Sequence, residues 1–201
     1  MGAPEPSRLG TLKRVVIADA GPLIGLARIG RLDLLRVLFA EVTLTAVVAA
    51  EIGIDARDGA VMGRETDGLS NPDVRIHPWP GASAIAEALA AGWLSIASPS
   101  GLPDIEPLNP GVDPGERSTI ALALHWRAAG EKVPVIMDDR CGRAEARSRG
   151  LSILGTAAVM VLAKEQGLIP ACAPLLGALR EEGYYLSDGL VAAVLAEVGE
   201  A

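Results

Sequence analysis

Residues 15–30 read VVIADAGPLIGLARIG. Val15 to Ala18 is a short unbroken apolar run, the pattern of a strand buried on both faces of a parallel sheet. It ends on an acid, Asp19. Pro22 then opens a helical stripe of Leu23, Ile24, Leu26, Ala27 and Ile29, which Gly30 stops. A buried strand running through a carboxylate into a helix is the start of a parallel strand–helix unit. Asp19 stands at the strand's carboxyl end, where open parallel sheets bind their ligands.

The same alternation continues outward from this stretch. Residues 32–38 carry leucines at helical spacing, Glu41–Thr45 (EVTLT) alternates as a strand does, and residues 46–52 (AVVAAEI) read as a short helix. Further helices are expected at 84–91, 114–129, 140–149, about 156–166, 172–182 and 188–198, and further strands at 93–97, 133–137 and 151–154. The helix at 114 is punctuated explicitly, with Asp113 as N-cap, Pro114 at its first position and Gly130 as its stop. Strands alternating with helices predict an α/β fold, a three-layer α/β/α sandwich around a central parallel sheet. Residues 13–201 read as one domain, residues 1–12 as a disordered tail, and about 53–110 as a variable region rich in Gly, Asp and Pro.

Composition narrows the partners. Aromatics make up only 3% of the 201 residues, so the core must be built from Leu, Val, Ile and Ala, and base stacking is not the main recognition mode. A formal charge of −7 excludes a broad, electrostatically driven nucleic-acid binder but not an enzyme touching a few phosphates. Cys141 and Cys172 lack metal-type spacing and read as small core residues of a reduced protein. No signal peptide and no membrane span are expected, so the location expected is cytoplasmic.

Two predicted strands end on acids, one on Asp19 and the other on Asp138-Asp139. If these strands are neighbours, their carboxylates share one crevice and cannot all stay ionised without a cation. Magnesium or manganese suits such a set, being hard and oxygen-seeking. Glu116 shares a helix stripe with Ile120, Ala123 and Arg127, and Glu51 follows Val47 and Val48 on an apolar face. Each acid also has a plainer reading. Asp19 fits a helix cap, Glu116 fits the capping-box position after Asp113, Glu51 fits a solvated helix end, and one of Asp138 and Asp139 caps the next helix, leaving the other free. Arg140, Arg143 and Arg147 form a basic stripe on that helix, with Arg143 and Arg140 as candidate phosphate contacts; Arg147 fits equally a solvated residue paired with Glu145.

VVIADAGPLIGLARIGRLDLL resembles the opening of PIN-domain nucleases, TLTAVVAAEI their second, Glu-bearing segment, and DPGERSTIALAL and VIMDDRCGRAEARSRGLSILGT a PIN-like branch related to VapC-type toxins. The resemblance covers about residues 14–60 and 111–182. It implies a metal-dependent endoribonuclease with Asp19, Glu51, Glu116 and Asp139 as catalytic acids. The metal set would be Asp19, Glu116, Asp139 and Asp138, around Mg2+ or Mn2+. The partners it implies are single-stranded RNA, an antitoxin protein and a second copy in a homodimer. Ala20 stands where Thr or Ser often follows the first Asp, and Glu116 where Asp is common. The alternative is a catalytically weak or inactive PIN fold used to bind RNA or an antitoxin. A haloacid-dehalogenase-type phosphatase needs a second Asp two residues after the first; Gly21 is there, and that reading is rejected. A receiver domain lacks its phosphoacceptor and lysine set.

Overall fold

The computed structural model describes residues 15–55, 75–97 and 102–201. The expected tail lies outside these, as do residues 56–74 and 98–101 of the expected variable region. In chain order the elements are β1 (Val15–Ala18), α1 (Ala20–Arg28), α2 (Asp33–Leu38), β2 (Glu41–Thr45), α3 (Ala46–Glu51), β3 (Ile54–Asp55), β4 (Arg75–Ile76), α4 (Ala82–Ala90), β5 (Leu94–Ala97), α5 (Pro114–Ala128), β6 (Val135–Ile136), α6 (Arg140–Ser148), β7 (Ile153–Leu154), α7 (Thr156–Glu165), α8 (Ala173–Glu181) and α9 (Asp188–Glu197). Five strands form one parallel sheet in the order β5-β2-β1-β6-β7.

Side chains of a strand alternate between faces, and β1 shows how this builds the layers. Val16 and Ala18 join a core with Leu23 and Leu26 of α1, Leu34 and Leu35 of α2 and Met160 of α7. Ile17 points the other way, into a second core with Val135, Met137, Ile120 and Leu122 of α5 and Ala146 of α6. The expected three-layer α/β/α sandwich is the fold observed.

Differences from the sequence reading are local. α1 starts at Ala20, so Pro22 lies in its first turn, where a missing N–H has no intrahelical acceptor to lose. The strands expected at 133–137 and 151–154 shorten to two residues each, and the small antiparallel pair β3–β4 was not foreseen. Two-residue strands carry no periodicity to read. Cys172 is fully buried as expected, but Cys141 is only partly buried and joins neither core.

Gly25 lies inside α1, where glycine ordinarily costs about 1 kcal/mol relative to alanine. A Cβ there would meet the Tyr184 ring at 2.8 and 2.9 Å and Leu179 Cδ2 at 3.3 Å. Tyr184 therefore lies directly on the backbone of α1. Gly25→Ala is expected to lower stability by roughly 1–3 kcal/mol, overcrowding outweighing helix propensity. Urea denaturation checks this; an equal or higher midpoint would mean that the ring moves freely aside.

Candidate active site

β1 lies at the centre of the sheet, with β2 on one side and β6 on the other, so the strand order changes direction between β1 and β6. Such a switch point opens a crevice at the carboxyl ends of the strands. Asp19 leaves β1 and Asp138-Asp139 leave β6 at this place. Ala18 is paired with Ile136, and the Asp19 N–H donates to the Ile136 carbonyl at 2.9 Å.

Asp19 is only 8% exposed. It occupies the N-cap position of α1, yet its side chain makes no capping bond there, so capping does not account for it. Burial pushes its pKa up to about 7; the Ala20 N–H opposes this, while Asp113, Glu51 and Asp138 push it further up. Glu116 is 2% exposed and does form the capping box: the Asp113 N–H donates to Glu116 Oε2 at 3.1 Å, and the Glu116 N–H to Asp113 Oδ1 at 2.8 Å. The plain reading of Glu116 and the crowded one are both true. Its pKa is pushed up to about 8, first by burial and then by Asp113, Asp139 and Asp19, against the Asp113 N–H.

Glu51, the last residue of α3, reaches the same place because α3 packs on α5. Its carboxylate lies on the backbone of Gly115, where an added Cβ would collide with both of its oxygens. Burial and Asp113 raise its pKa, and the Gly115 N–H opposes them. The Gly115→Ala variant is expected to fold normally, its stability within about 1 kcal/mol of the wild type, because only the end of a flexible side chain must move. Activity should fall roughly ten-fold as Glu51 leaves its place. Parallel thermal melts and cleavage assays separate the two effects, and unchanged activity would remove Glu51 from the site.

Asp113 was read from sequence only as a cap. The structure sets it among the acids, where it repels Asp19, Glu51 and Glu116. Its spacing of three before Glu116 held that information, since both ends of a capping box lie at one helix end. Asp139 caps α6, its Oδ1 accepting from the N–H groups of Cys141 at 2.6 Å and Gly142 at 3.1 Å. The expectation that Asp138 is then left free is corrected. Its Oδ1 accepts from Thr156 N at 2.9 Å, and its Oδ2 from Thr156 Oγ1 at 2.6 Å and from the Tyr184 hydroxyl. The cause is the pairing of β6 with β7, which brings the start of α7 beside Asp138. Burial, and then Asp138, pushes the Tyr184 phenol far above its usual pKa. Thr156 and Tyr184 were missed; the GYY segment after α8 was the only signal, as it holds both tyrosines of the chain.

The donors gathered here are hard carboxylate oxygens, two of them, on Asp19 and Glu116, buried and repelled by their neighbours, which suits a hard divalent cation. Among the described residues no three acid, His or Cys side chains stand together as a ready-made ligand group. The fit is therefore to a cation that keeps much of its water and takes one or two carboxylates directly, the habit of magnesium.

Beside the acids opens a cleft of about 590 Å3, walled by Asp138, Asp139, Arg140, Arg143, Arg147 and Tyr184 among others. The pairing of Arg147 with Glu145 is absent. Glu145 is buried and bound to Arg149 at 2.7 Å and to the Leu108 N–H at 3.1 Å. Among the described residues no ion pair engages Arg140, Arg143 or Arg147.

A PIN-domain family model matches residues 15–71 and 72–200. The chain belongs to the PIN-domain family. No curated protein sequence matches it. PIN domains are generally nucleases, typically dependent on divalent metal, and this PIN domain keeps an acid at each strand end flanking its switch point. No helix among its described residues is long and apolar enough to cross a membrane.

Proposed function

We propose that this PIN-domain protein is a divalent-cation-dependent endoribonuclease that hydrolyses RNA phosphodiesters. The observation that carries the reading is the pair Asp19 and Glu116, two buried carboxyls pushed up to about 7 and about 8 beside further acids at the switch point. Strongly perturbed acids gathered beside a cleft, here one lined by Asp138 and Asp139, mark working sites more often than structural ones. Asp19 and Asp139 would be the main cation ligands, with Glu116, Glu51 and Asp138 completing the ring. A bound Mg2+ or Mn2+ supplies Lewis-acid stabilisation of charge on the phosphate and acidifies water. Glu116 Oε2 is engaged by the Asp113 N–H, whereas Oε1 makes no hydrogen bond among the described residues; when Glu116 is ionised, Oε1 is the atom that would receive a proton from the attacking water. Asp138, fixed by Thr156 and Tyr184, holds its place in the ring without swinging away. Arg143 and Arg140 bind the phosphate. The test is cleavage of single-stranded RNA with Mg2+ or Mn2+ and with chelator, by wild type and Asp19→Asn purified identically; equal cleavage by both would end the reading.

A second reading, a PIN fold that binds RNA or an antitoxin without cutting, draws on two observations. Ala20 offers no hydroxyl beside Asp19, and both oxygens of Asp138 are already engaged. Tight RNA binding with no metal-dependent cleavage by the wild type would favour it. The toxin role implied by the VapC resemblance is tested separately, by whether expression arrests growth and a co-expressed partner restores it.

A further inference from the structure

The cleft beside the acids has a second wall that the cleavage chemistry does not use. Tyr185, in the turn between α8 and α9, lines it and is 89% exposed, the most exposed large apolar side chain among the described residues. Its backbone is nevertheless fixed on both sides. Tyr184 before it lies on α1, with its N–H donating to the Leu179 carbonyl at 2.8 Å. Leu186 after it is buried, and its carbonyl accepts from Arg180 at 3.1 and 2.6 Å. An aromatic ring in water on an anchored backbone loses little entropy when it binds. Across the cleft stand Arg140, Arg143 and Arg147, three and four residues apart on one face of α6 and engaged by no acid among the described residues. In a chain of net charge −7, an unpaired cationic face opposite an exposed ring is a local exception.

We propose that this cleft is a nucleotide subsite, in which Tyr185 stacks on one unpaired base while Arg147 holds that nucleotide's phosphate. The inference rests on the nuclease reading, for Asp138 and Asp139 also line this cleft, so that the next nucleotide of a strand lies here once a phosphate lies at the acids. A volume of about 590 Å3 is ample for one nucleotide. Stacking on a single ring accepts any base, since each presents a π-face, but a base paired inside a duplex cannot present that face. The subsite thus selects single strands over duplexes without reading sequence.

The test is fluorescence-anisotropy binding of a short labelled single-stranded RNA, and of the same sequence as duplex, in EDTA and low salt so that no cleavage intervenes. Tyr185→Ala should weaken the single strand about ten-fold, Tyr185→Trp should retain it, and neither should alter duplex binding. Arg147→Ala should weaken both RNAs and flatten the salt dependence. Because Tyr185 is exposed, thermal melts of its variants should match the wild type. Single-strand binding by Tyr185→Ala within two-fold of the wild type overturns the subsite, as does a wild type that binds no single strand. If either occurs while Asp19→Asn still abolishes cleavage, the nuclease reading stands alone. If binding depends on Tyr185 while the wild type cleaves nothing, the subsite stands and the nuclease reading falls.

Discussion

Asp19→Asn should lower metal-dependent RNA cleavage roughly a hundred-fold or more, yet give a protein that at pH 8 is more stable than the wild type. Asparagine has nearly the same shape and keeps one oxygen near the Ala20 N–H, so packing against Ala18 and α1 changes little. The charge is what disappears. At pH 8 the wild-type carboxyl, with its pKa at about 7, is mostly ionised although burial and the neighbours Asp113, Glu51 and Asp138 all disfavour this. Neutralising it relieves repulsion by on the order of 1 kcal/mol. A residue kept for the fold shows the opposite pattern, since its replacement lowers stability and takes activity with it. Denaturant midpoints beside cleavage rates therefore test the role directly. Loss of both together would reassign Asp19 to structure, and loss of neither would place the chemistry elsewhere.

How much of this was legible in the sequence depended on the range of each signal. β1 was visible because four apolar residues in a row leave few alternatives, and β2 because EVTLT alternates. The capping box at Asp113 and Glu116 was visible because its spacing is local. The neighbouring of β1 and β6 was only conditional, for nothing within either segment specifies its partner across more than a hundred residues. Asp138 shows the same limit from the other side. Its acid character and strand-end position were plain, but the hydroxyls that hold it come from Thr156 and Tyr184, 18 and 46 residues away, and no periodicity links them. Gly25 and Gly115 were likewise ordinary letters in a helix until the structure showed what lies on them, the Tyr184 ring on one and the Glu51 carboxylate on the other.

The same crowded acids make stability without a cation fall as pH rises from about 5 to 8. In the unfolded chain the Asp19 and Glu116 carboxyls titrate near 3.8 and 4.5; in the folded protein they titrate at about 7 and about 8. Between these values the native state binds more protons than the unfolded state, so stability is greatest below the unfolded values and is lost as pH passes through the folded ones. After discounting for solvent screening, the fall is on the order of 3 kcal/mol. Glu145 and Glu200 are shifted downward, Glu200 to about 2, so their contributions vanish only in acid and do not offset this slope. A divalent cation that binds only the folded state should reverse the loss at pH 8, by about 2.7 kcal/mol at a hundred times its dissociation constant. Thermal melts from pH 5 to 8 with EDTA, with Mg2+ and with sodium chloride of equal ionic strength check the whole scheme. Asp19→Asn should show a shallower slope and a smaller response to Mg2+. A flat profile, or sodium chloride restoring stability as well as Mg2+ does, would mean that these carboxylates do not share a cation, and the cleavage reading would lose its physical basis.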